Sequence, residues 1–492
     1  MLQRFEEQNA IKLHDYQRAG IEWCIEREQT GVEINKETKY GGLICDEMGL
    51  GKTYQIIGTI LSNYLPKTLI VVPKILLSQW KTIFLTKLNH KIMCYHGTEK
   101  KHITDDDLKT APIVLTSYHM LLTQKKELNN KLQMIEWDRV IFDEAHHLRG
   151  INNKLYTAGN ELKSKVKWLI TGTPIQNKLN DLYNLLNILK IDKEYYKENI
   201  DKVLNSLMLK RTKQEVGLDL PELKEHVIYV KWKNEKEKKQ AENIHKKLKF
   251  SNLNSKEKLS KDEILKQVIM CKQSCVDLNI VKDIDNSNHT KLNGVVEFIK
   301  ERKSEKKLIF CHFNKEIEYL TTHLTSDNCK VKYFNGKVSN KKREEILKSN
   351  VDILILQIQT GCEGLNLQDF NEVYFVSPSW NPAIESQAIA RCHRIGQNKP
   401  INVFRFKMEP FDNNYNTKSL DMHSSICQLK KKVIANVIDN NLTKSEEACC
   451  ICMEEIEYTK LEKLACGHIY HNNCILEWYN TKLSCPMCRQ YN

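Results

Sequence analysis

What most restricts the fold of this chain is a series of ten short, strand-like runs, apolar at nearly every position, separated by helix-like segments. Five come early, at Gly42–Cys45, Thr68–Val72, Ile113–Thr116, Val140–Phe142 and Trp168–Thr171. Five come late, at Leu308–Cys311, Val331–Phe334, Ile353–Leu356, Val373–Val376 and Val403–Phe406. A strand that is apolar at every position must be covered on both faces, and strands alternating with helices meet that need as a parallel sheet sandwiched by helices. The series breaks after Leu189, where charged helical periodicity runs to about Lys306 and the Lys-rich piece Lys231–Lys261 offers no strand. The expectation is α/β: one lobe over residues 1–230, a helical basic connection over 231–306 and a second lobe over 307–444. At 492 residues the chain has room for about three domains of ordinary size.

Residues 445–492 are of another kind. Seven of the 17 cysteines lie between Cys449 and Cys488, and this segment is net acidic although the chain is net +13. The scattered cysteines, such as Cys24, Cys45, Cys94, Cys311 and Cys362, sit in or beside apolar runs and read as small buried hydrophobes in a reducing compartment. Cys271 and Cys275, four apart on a helical pattern, read as core.

Three constellations carry chemistry. The run Gly42–Cys45 leads into Asp46-Glu47-Met48-Gly49-Leu50-Gly51-Lys52-Thr53 and then a helix pattern. A strand, a glycine-bearing turn and a helix N-terminus make a nest of N–H groups for phosphate, to which Lys52 adds charge and Thr53 a hydroxyl for Mg²⁺. Asp46 replaces the usual first glycine of such a loop. About 90 residues later, Asp143-Glu144-Ala145-His146 follows the run Val140–Phe142, which puts two carboxylates at the C-terminal end of a parallel strand. There Asp143 can hold Mg²⁺ through water and Glu144 can deprotonate an attacking water; an acidic pair after a strand also serves as a simple helix cap. Arg391 and Arg394, three apart and two of only twelve arginines, read as one helical face able to reach a γ-phosphate held by the other lobe.

With these residues in view the chain resembles a helicase superfamily-two ATPase of the Swi/Snf type over about residues 10 to 410. Leu13-His14-Asp15-Tyr16-Gln17 is similar to that family's adenine-reading motif, with Gln17 on the base. Asp46–Thr53, with Gly49, Gly51, Lys52 and Thr53 at the nucleotide, resembles its phosphate loop, which commonly has Asp at its start. Asp143–His146, Thr171–Asn177, Gly361–Leu367, Ser379–Pro382 and Arg391–Gln397 resemble its later motifs, although Ala390 stands where many relatives carry Asp. The resemblance implies two RecA-like lobes, ATP and Mg²⁺ as cofactors, and translocation along duplex DNA, in that family usually without strand separation. Residues 1–444 carry a surplus of +16, which agrees with a polyanionic track, although an AT-rich genome also yields many lysines. Candidate DNA contacts are Thr116 and Ser117 in the first lobe and Asn366 and Trp380 in the second; Trp380 fits a core aromatic equally well.

In the last segment, Cys449-x2-Cys452, Cys466-x-His468, His471-x2-Cys474 and Cys485-x2-Cys488 supply eight ligands in four pairs, enough for two tetrahedral Zn²⁺ sites. The spacing resembles a RING finger of the Cys/His/His variant. Its cross-braced topology implies one Zn²⁺ on Cys449, Cys452, His471 and Cys474 and another on Cys466, His468, Cys485 and Cys488. By the same resemblance, Ile451, Trp478 and Pro486 form the platform for a ubiquitin-conjugating enzyme, and Arg489 clamps the charged donor. A purely structural zinc module has the same ligands. The expected function is therefore an ATP-dependent translocase with an appended ubiquitin ligase. The alternatives are a ligase recruited to DNA by a weak ATPase, or a helicase on RNA or single strands with a structural zinc module. No apolar stretch approaches the ~18 residues that span a bilayer and the N-terminus lacks a signal-peptide core, so the expected setting is intracellular, in the nucleus or another DNA-containing compartment, without secretion or a membrane partner.

Overall fold

The computed structural model describes residues 6–7, 12–122, 130–150, 153–176, 179–247, 261–282, 284, 288–302, 305–326, 329–361, 365–411, 419–425, 427–428, 431, 449, 451–452, 461–464, 466, 468–479 and 483–487. The chain divides into two units, Met1–Asp219 and Leu220–Asn492.

The first unit is built on strands β1 (Val32–Ile34), β2 (Glu37–Ile44), β3 (Thr68–Val72), β4 (Met93–Tyr95), β5 (Ile113–Ser117), β6 (Trp137–Asp143), β7 (Ser164–Ile170) and β8 (Met208–Leu209). Their order is β1-β2-β7-β6-β3-β5-β4, with β8 also paired to β2. The β1–β2 hairpin is antiparallel and the other pairings are parallel. The five early apolar runs lie in β2, β3, β5, β6 and β7. Helix Lys52–Ser62 follows β2 and drives Ile56, Ile57 and Ile60 into a core with Ile44, Ile70, Ile141 and Ile170. At the edge of that core a buried ion pair fastens several elements together. Arg139 of β6 donates through Nε to Glu28 Oε1 at 2.6 Å and through Nη2 to Glu28 Oε2 and, at 2.8 Å, to the Asn63 carbonyl. Trp168 Nε1 and Asn63 Nδ2 donate to the same carboxylate at 2.8 and 2.7 Å.

The second unit holds β9 (Leu223–Val230), β10 (Lys307–Cys311), β11 (Val331–Phe334), β12 (Ile353–Gln357), β13 (Glu372–Phe375) and β14 (Ile401–Met408), all parallel, in the order β11-β12-β10-β13-β14-β9. The five late runs are β10 to β14. The expected boundary at residue 230 is corrected: β9 pairs with β14 along its whole length, from Leu223 beside Ile401 to Val230 beside Met408. As an edge strand it leaves Val227 and Tyr229 exposed and mixes charged with apolar residues, so no continuous apolar run betrays it. The expected connection over 231–306 is likewise part of this unit. Helix Thr290–Glu301 contributes Leu292, Val295, Val296 and Ile299 to the core beside Ile309, Ile355 and Phe404. Ala241, Ile244, Cys271 and Cys275 close a second cluster with Phe411 and Leu420.

The C-terminal module pairs β15 (Leu461–Lys463) antiparallel with β16 (Ile469–His471), followed by helix Asn472–Trp478. Its core is small: Cys449, Leu464, Tyr470, Ile475, Tyr479 and Cys485. Among the described residues no helix is long and apolar enough to cross a membrane.

Candidate nucleotide and metal sites

The phosphate loop leaves β2 at a buried Cys45 and Asp46. Gly49 and Gly51 take φ of 96° and 77°, the left-handed region that glycine enters without strain, and so turn the loop onto the N-terminus of helix Lys52–Ser62. A Cβ on Gly51 would stand 2.4 Å from Gln17 Nε2. The Lys52 ammonium donates to the carbonyls of Asp46 at 2.7 Å and Glu47 at 3.3 Å. Burial lowers its pKa, and the nearby carboxylates of Glu144, Asp46 and Asp143 oppose that shift. Thr53 is half-buried one residue along the same helix.

Asp143 ends β6. Its Oδ2 accepts from Trp80 Nε1 at 2.9 Å and its Oδ1 from the Glu144 N–H at 3.0 Å. Burial, reinforced by the Glu144 charge, pushes the Asp143 carboxyl up to about 7, against the pull of the Trp80 bond and Lys52. Glu144 adopts a left-handed φ of 51°, and its Oε2 lies 3.2 Å from His146 Nδ1. The lysine and both carboxylates therefore share one site, with Asp143 buried and Lys52 and Glu144 half-buried. A hydroxyl at Thr53 and a carboxylate at Asp143 are hard oxygen donors, the set that suits Mg²⁺; both Asp143 oxygens already accept hydrogen bonds, which favours holding the ion through water.

The Gln17 carboxamide is engaged at both ends, accepting from the His14 N–H at 3.0 Å and donating to the Leu50 carbonyl at 3.1 Å. It thus seats the start of helix Asp15–Gln29 on the phosphate loop. Sequence reasoning missed Arg211. Its guanidinium forks onto Asp46 at 3.0 and 2.6 Å, and Gln55 Nε2 donates to the same carboxylate at 2.9 Å. Asp46 therefore stands in place of a loop glycine because its side chain points into the fold. The available signal was the scarcity of arginine.

Two expectations are corrected. Thr116 and Ser117 are fully buried: the Thr116 hydroxyl donates to the Tyr95 carbonyl at 2.8 Å, and Ser117 Oγ lies 3.0 Å from His96 Nδ1. They are internal bonds at the end of β5 and present no hydroxyl to a DNA backbone. Arg391 and Arg394 do not share a helical face. Helix Pro382–Ile389 stops at its cap Ala390 and the chain continues as turns through Gly396 at φ 97°, with the Arg391 carbonyl taken by the Leu367 N–H at 3.1 Å. Both arginines are half-buried on those turns. In the same unit Asn366 is exposed, and Trp380 is 37% exposed, which excludes a core role for it. The Trp380 carbonyl accepts from Lys431 Nζ at 3.1 Å. Asn177 and residues 362–364 lie outside the described residues.

In the C-terminal module the donor atoms of Cys449, Cys452, His471 and Cys474 all lie within 4.8 Å of one another, as do those of Cys466, His468 and Cys485. A tetrahedron with Zn–S bonds of ~2.3 Å has edges near ~3.8 Å, so both clusters fit Zn²⁺. The grouping is cross-braced: Cys452 Sγ is 3.1 Å from His471 Nδ1, while His468 Nδ1 lies 3.4 and 3.5 Å from the sulfurs of Cys466 and Cys485. Cys488 and Arg489 lie outside the described residues. Ile451 and Met487 are exposed, Pro486 is half-buried, and Trp478 is anchored by a 2.7 Å bond from Nε1 to the Ser484 carbonyl.

Comparison with known families agrees with this geometry. The SNF2-related domain family matches residues 16–280. The chain belongs to the SNF2-related family. The helicase conserved C-terminal domain matches residues 290–396, and the RING finger domain matches 447–489. Among curated relatives, an uncharacterized ATP-dependent helicase of Mycoplasma genitalium is 28% identical over 428 residues, 80% of this chain and 40% of that protein. The mouse SWI/SNF-related matrix-associated actin-dependent regulator of chromatin subfamily A member 1 is 28% identical over 444 residues, 80% of this chain and 41% of that protein. The chain thus spans about 40% of the length of these relatives. A Sulfolobus solfataricus SWI2/SNF2 ATPase core in complex with dsDNA is 25% identical, with a TM-score of 0.40, covering 86% of this chain and 95% of that one. An SNF2 ATPase core followed by a RING domain is the organisation of this molecule, which implies ATP, Mg²⁺ and zinc.

Proposed function

We propose that the chain hydrolyses ATP to translocate along duplex DNA and that its RING module transfers ubiquitin. The observation that carries this reading is the convergence of Lys52, Asp143 and Glu144 at the C-terminal ends of parallel strands, which pairs a phosphate-neutralising cation with a metal-holding carboxylate and a base. Lys52 compensates the phosphate charge, Thr53 and Asp143 hold Mg²⁺, and Glu144 takes the proton of the attacking water. Gln17 reads the base. Arg391 and Arg394 stabilise the charge of the transferring phosphoryl group from the second unit. The basic surplus of residues 1–444 and the exposed Asn366 and Trp380 favour a backbone-tracking DNA contact. Exposed Ile451, with Pro486 and Trp478 half-buried, favours docking of a ubiquitin-conjugating enzyme, with Arg489 as donor clamp, in the nucleus or another DNA-containing compartment.

The test is ATP turnover with duplex DNA, single-stranded DNA and RNA, together with ubiquitin discharge from a panel of charged conjugating enzymes. Duplex should stimulate most, and Glu144→Gln should lower turnover by about 10² to 10⁴ while retaining ATP. Wild-type turnover in Glu144→Gln would remove the base assignment. Absence of DNA stimulation with intact ubiquitin discharge would leave a ligase with a weak ATPase.

A further inference from the structure

Arg211 lies outside the motifs that mark the nucleotide site, yet its guanidinium joins three parts of it. Nε and Nη2 fork onto the Asp46 carboxylate under the phosphate loop at 3.0 and 2.6 Å. Nη2 also donates to Gln55 Oε1 at 3.0 Å, on the helix that the loop feeds. Nη1 donates to the Tyr16 carbonyl at 2.5 Å, one residue before Gln17, and the group stacks 5.5 Å from the Tyr16 ring centre.

The backbone around Arg211 is zipped to the loop as well. β8 pairs with the end of β2, and the pairing continues into the phosphate loop. The Cys45 N–H donates to the Leu209 carbonyl at 2.7 Å and the Glu47 N–H to the Arg211 carbonyl at 2.9 Å. The Lys213 N–H donates to Glu47 Oε2 at 2.8 Å, and Lys213 Nζ pairs with Glu47 Oε1 at 3.2 Å. Residues 209–213 thus run alongside 45–47, and a few residues later the chain leaves the first unit at Asp219. The loop that grips a polyanion and the strand that exits the unit are one hydrogen-bonded piece.

Charge explains why the pairing uses arginine. Asp46 is a fully buried carboxylate beneath a loop that must accept phosphates, and unpaired it would repel them. A guanidinium neutralises it and, by its fixed fork, also sets the angle between loop and exit strand, which a lysine ammonium does not. We propose that Arg211 is a positioning residue that locks the exit segment 208–213 onto the phosphate loop, so that nucleotide on the loop orders the chain leaving the first unit. This inference rests on the ATP reading above.

The test uses the full chain with a non-hydrolysable ATP analogue, reading affinity by anisotropy and amide exchange in peptides 44–50 and 208–218. In the wild type the analogue should slow exchange in both peptides. Arg211→Gln should weaken analogue binding roughly tenfold or more and, at saturation, protect only 44–50. Adding Asp46→Asn should recover affinity by removing the buried charge, yet leave 208–218 unprotected, a split that a purely structural role does not produce. Arg211→Lys should lie between. Should Arg211→Gln not fold, Glu47→Ala removes the Lys213 bonds at the rim and should weaken protection of 208–218 with the fold intact. Wild-type binding without protection of 208–218, or equal protection in the double variant, overturns the inference alone. A wild type that does not bind the analogue overturns the ATP reading, and this inference with it.

Discussion

At the scale of single residues, burial decides which charges are expensive. Glu316, in the first turn of helix Asn314–Leu324, is fully buried; the His312 N–H donates to its Oε2 at 3.0 Å, while its Oε1 has no hydrogen-bond partner among the described residues. Burial raises its pKa from 4.5 to about 7, with the His312 bond, Lys272 and Lys291 pulling the other way. The sign follows from proton counting. Between 4.5 and 7 the folded carboxyl keeps its proton and the unfolded one has lost it, so stability falls as pH rises through that window and the full penalty is present above 7. Glu316→Gln keeps the shape and an acceptor oxygen but cannot ionise. It should stabilise the second unit by up to roughly 3 kcal/mol at pH 8 and by much less at pH 5. The check is urea unfolding at both pH values, read by exchange of the β10 amides; equal pH slopes in the two proteins would remove Glu316 as the cause.

Residue-scale chemistry was legible in the sequence where charge followed directly on an apolar run or its glycine turn. Lys52, after the glycines of its loop, and the acidic pair Asp143 and Glu144, at the end of an apolar run, are such cases, and the structure brings them together. Arg211 offered only its rarity as a signal, because it precedes an unmarked turn far along the chain from Asp46, and only the fold brings the two together. Thr116 and Ser117 misled for the opposite reason. A hydroxyl at a strand end is polar in sequence, but here it is spent on a neighbouring strand's carbonyl and a histidine.

At the scale of elements, the Glu28–Arg139 pair does what apolar packing alone does not: it fixes which polar groups meet. One carboxylate from helix Asp15–Gln29 receives Arg139 of β6, Trp168 of β7 and Asn63 at the end of helix Lys52–Ser62. Removing one partner leaves the other as an uncompensated buried charge. Arg139→Leu should therefore destabilise the first unit by about 3 to 5 kcal/mol, and Glu28→Gln by a similar amount. Replacing both, with Glu28→Leu and Arg139→Leu, should cost less than the sum, since no charge is then stranded. Thermal unfolding of the three variants measures this, and strict additivity would count against a coupled pair. Element by element, the central strands were legible because burial on both faces demands unbroken apolar runs, as in β3 and β10. β1, β4 and β8 are two or three residues long, and β9 is a half-exposed edge, so none produces that signal. The charged helices of 235–301 looked like a spacer because their apolar stripe is narrow, although it closes two clusters of the second unit.

At the scale of the whole molecule, two kinds of stability coexist in one chain. Each sheet unit buries extensive apolar clusters, whereas the core of the C-terminal module numbers six among the described residues, two of which, Cys449 and Cys485, belong to the clusters that fit Zn²⁺. A segment this short buries too little to fold unaided, so metal binding supplies its folding free energy. Cross-bracing makes the loss cooperative. Cys449 and Cys452 reach His471 and Cys474 across the module, while Cys466 and His468 reach Cys485, so opening either cluster releases both ends of the β15–β16 hairpin and helix Asn472–Trp478. Cys452→Ser, or a strong chelator on the wild type, should strip zinc from both clusters and abolish exchange protection at Tyr470 and Ile475. Protection in β3 and β10, where no metal ligand stands, should stay within about twofold, since those cores do not draw on that binding energy. Elemental analysis gives the zinc content and amide exchange on the full chain gives the protection. A Cys452→Ser chain that retains zinc in the second cluster and native protection at Ile475 would mean that the two clusters fold independently, and that the module's own packing, not metal, holds it.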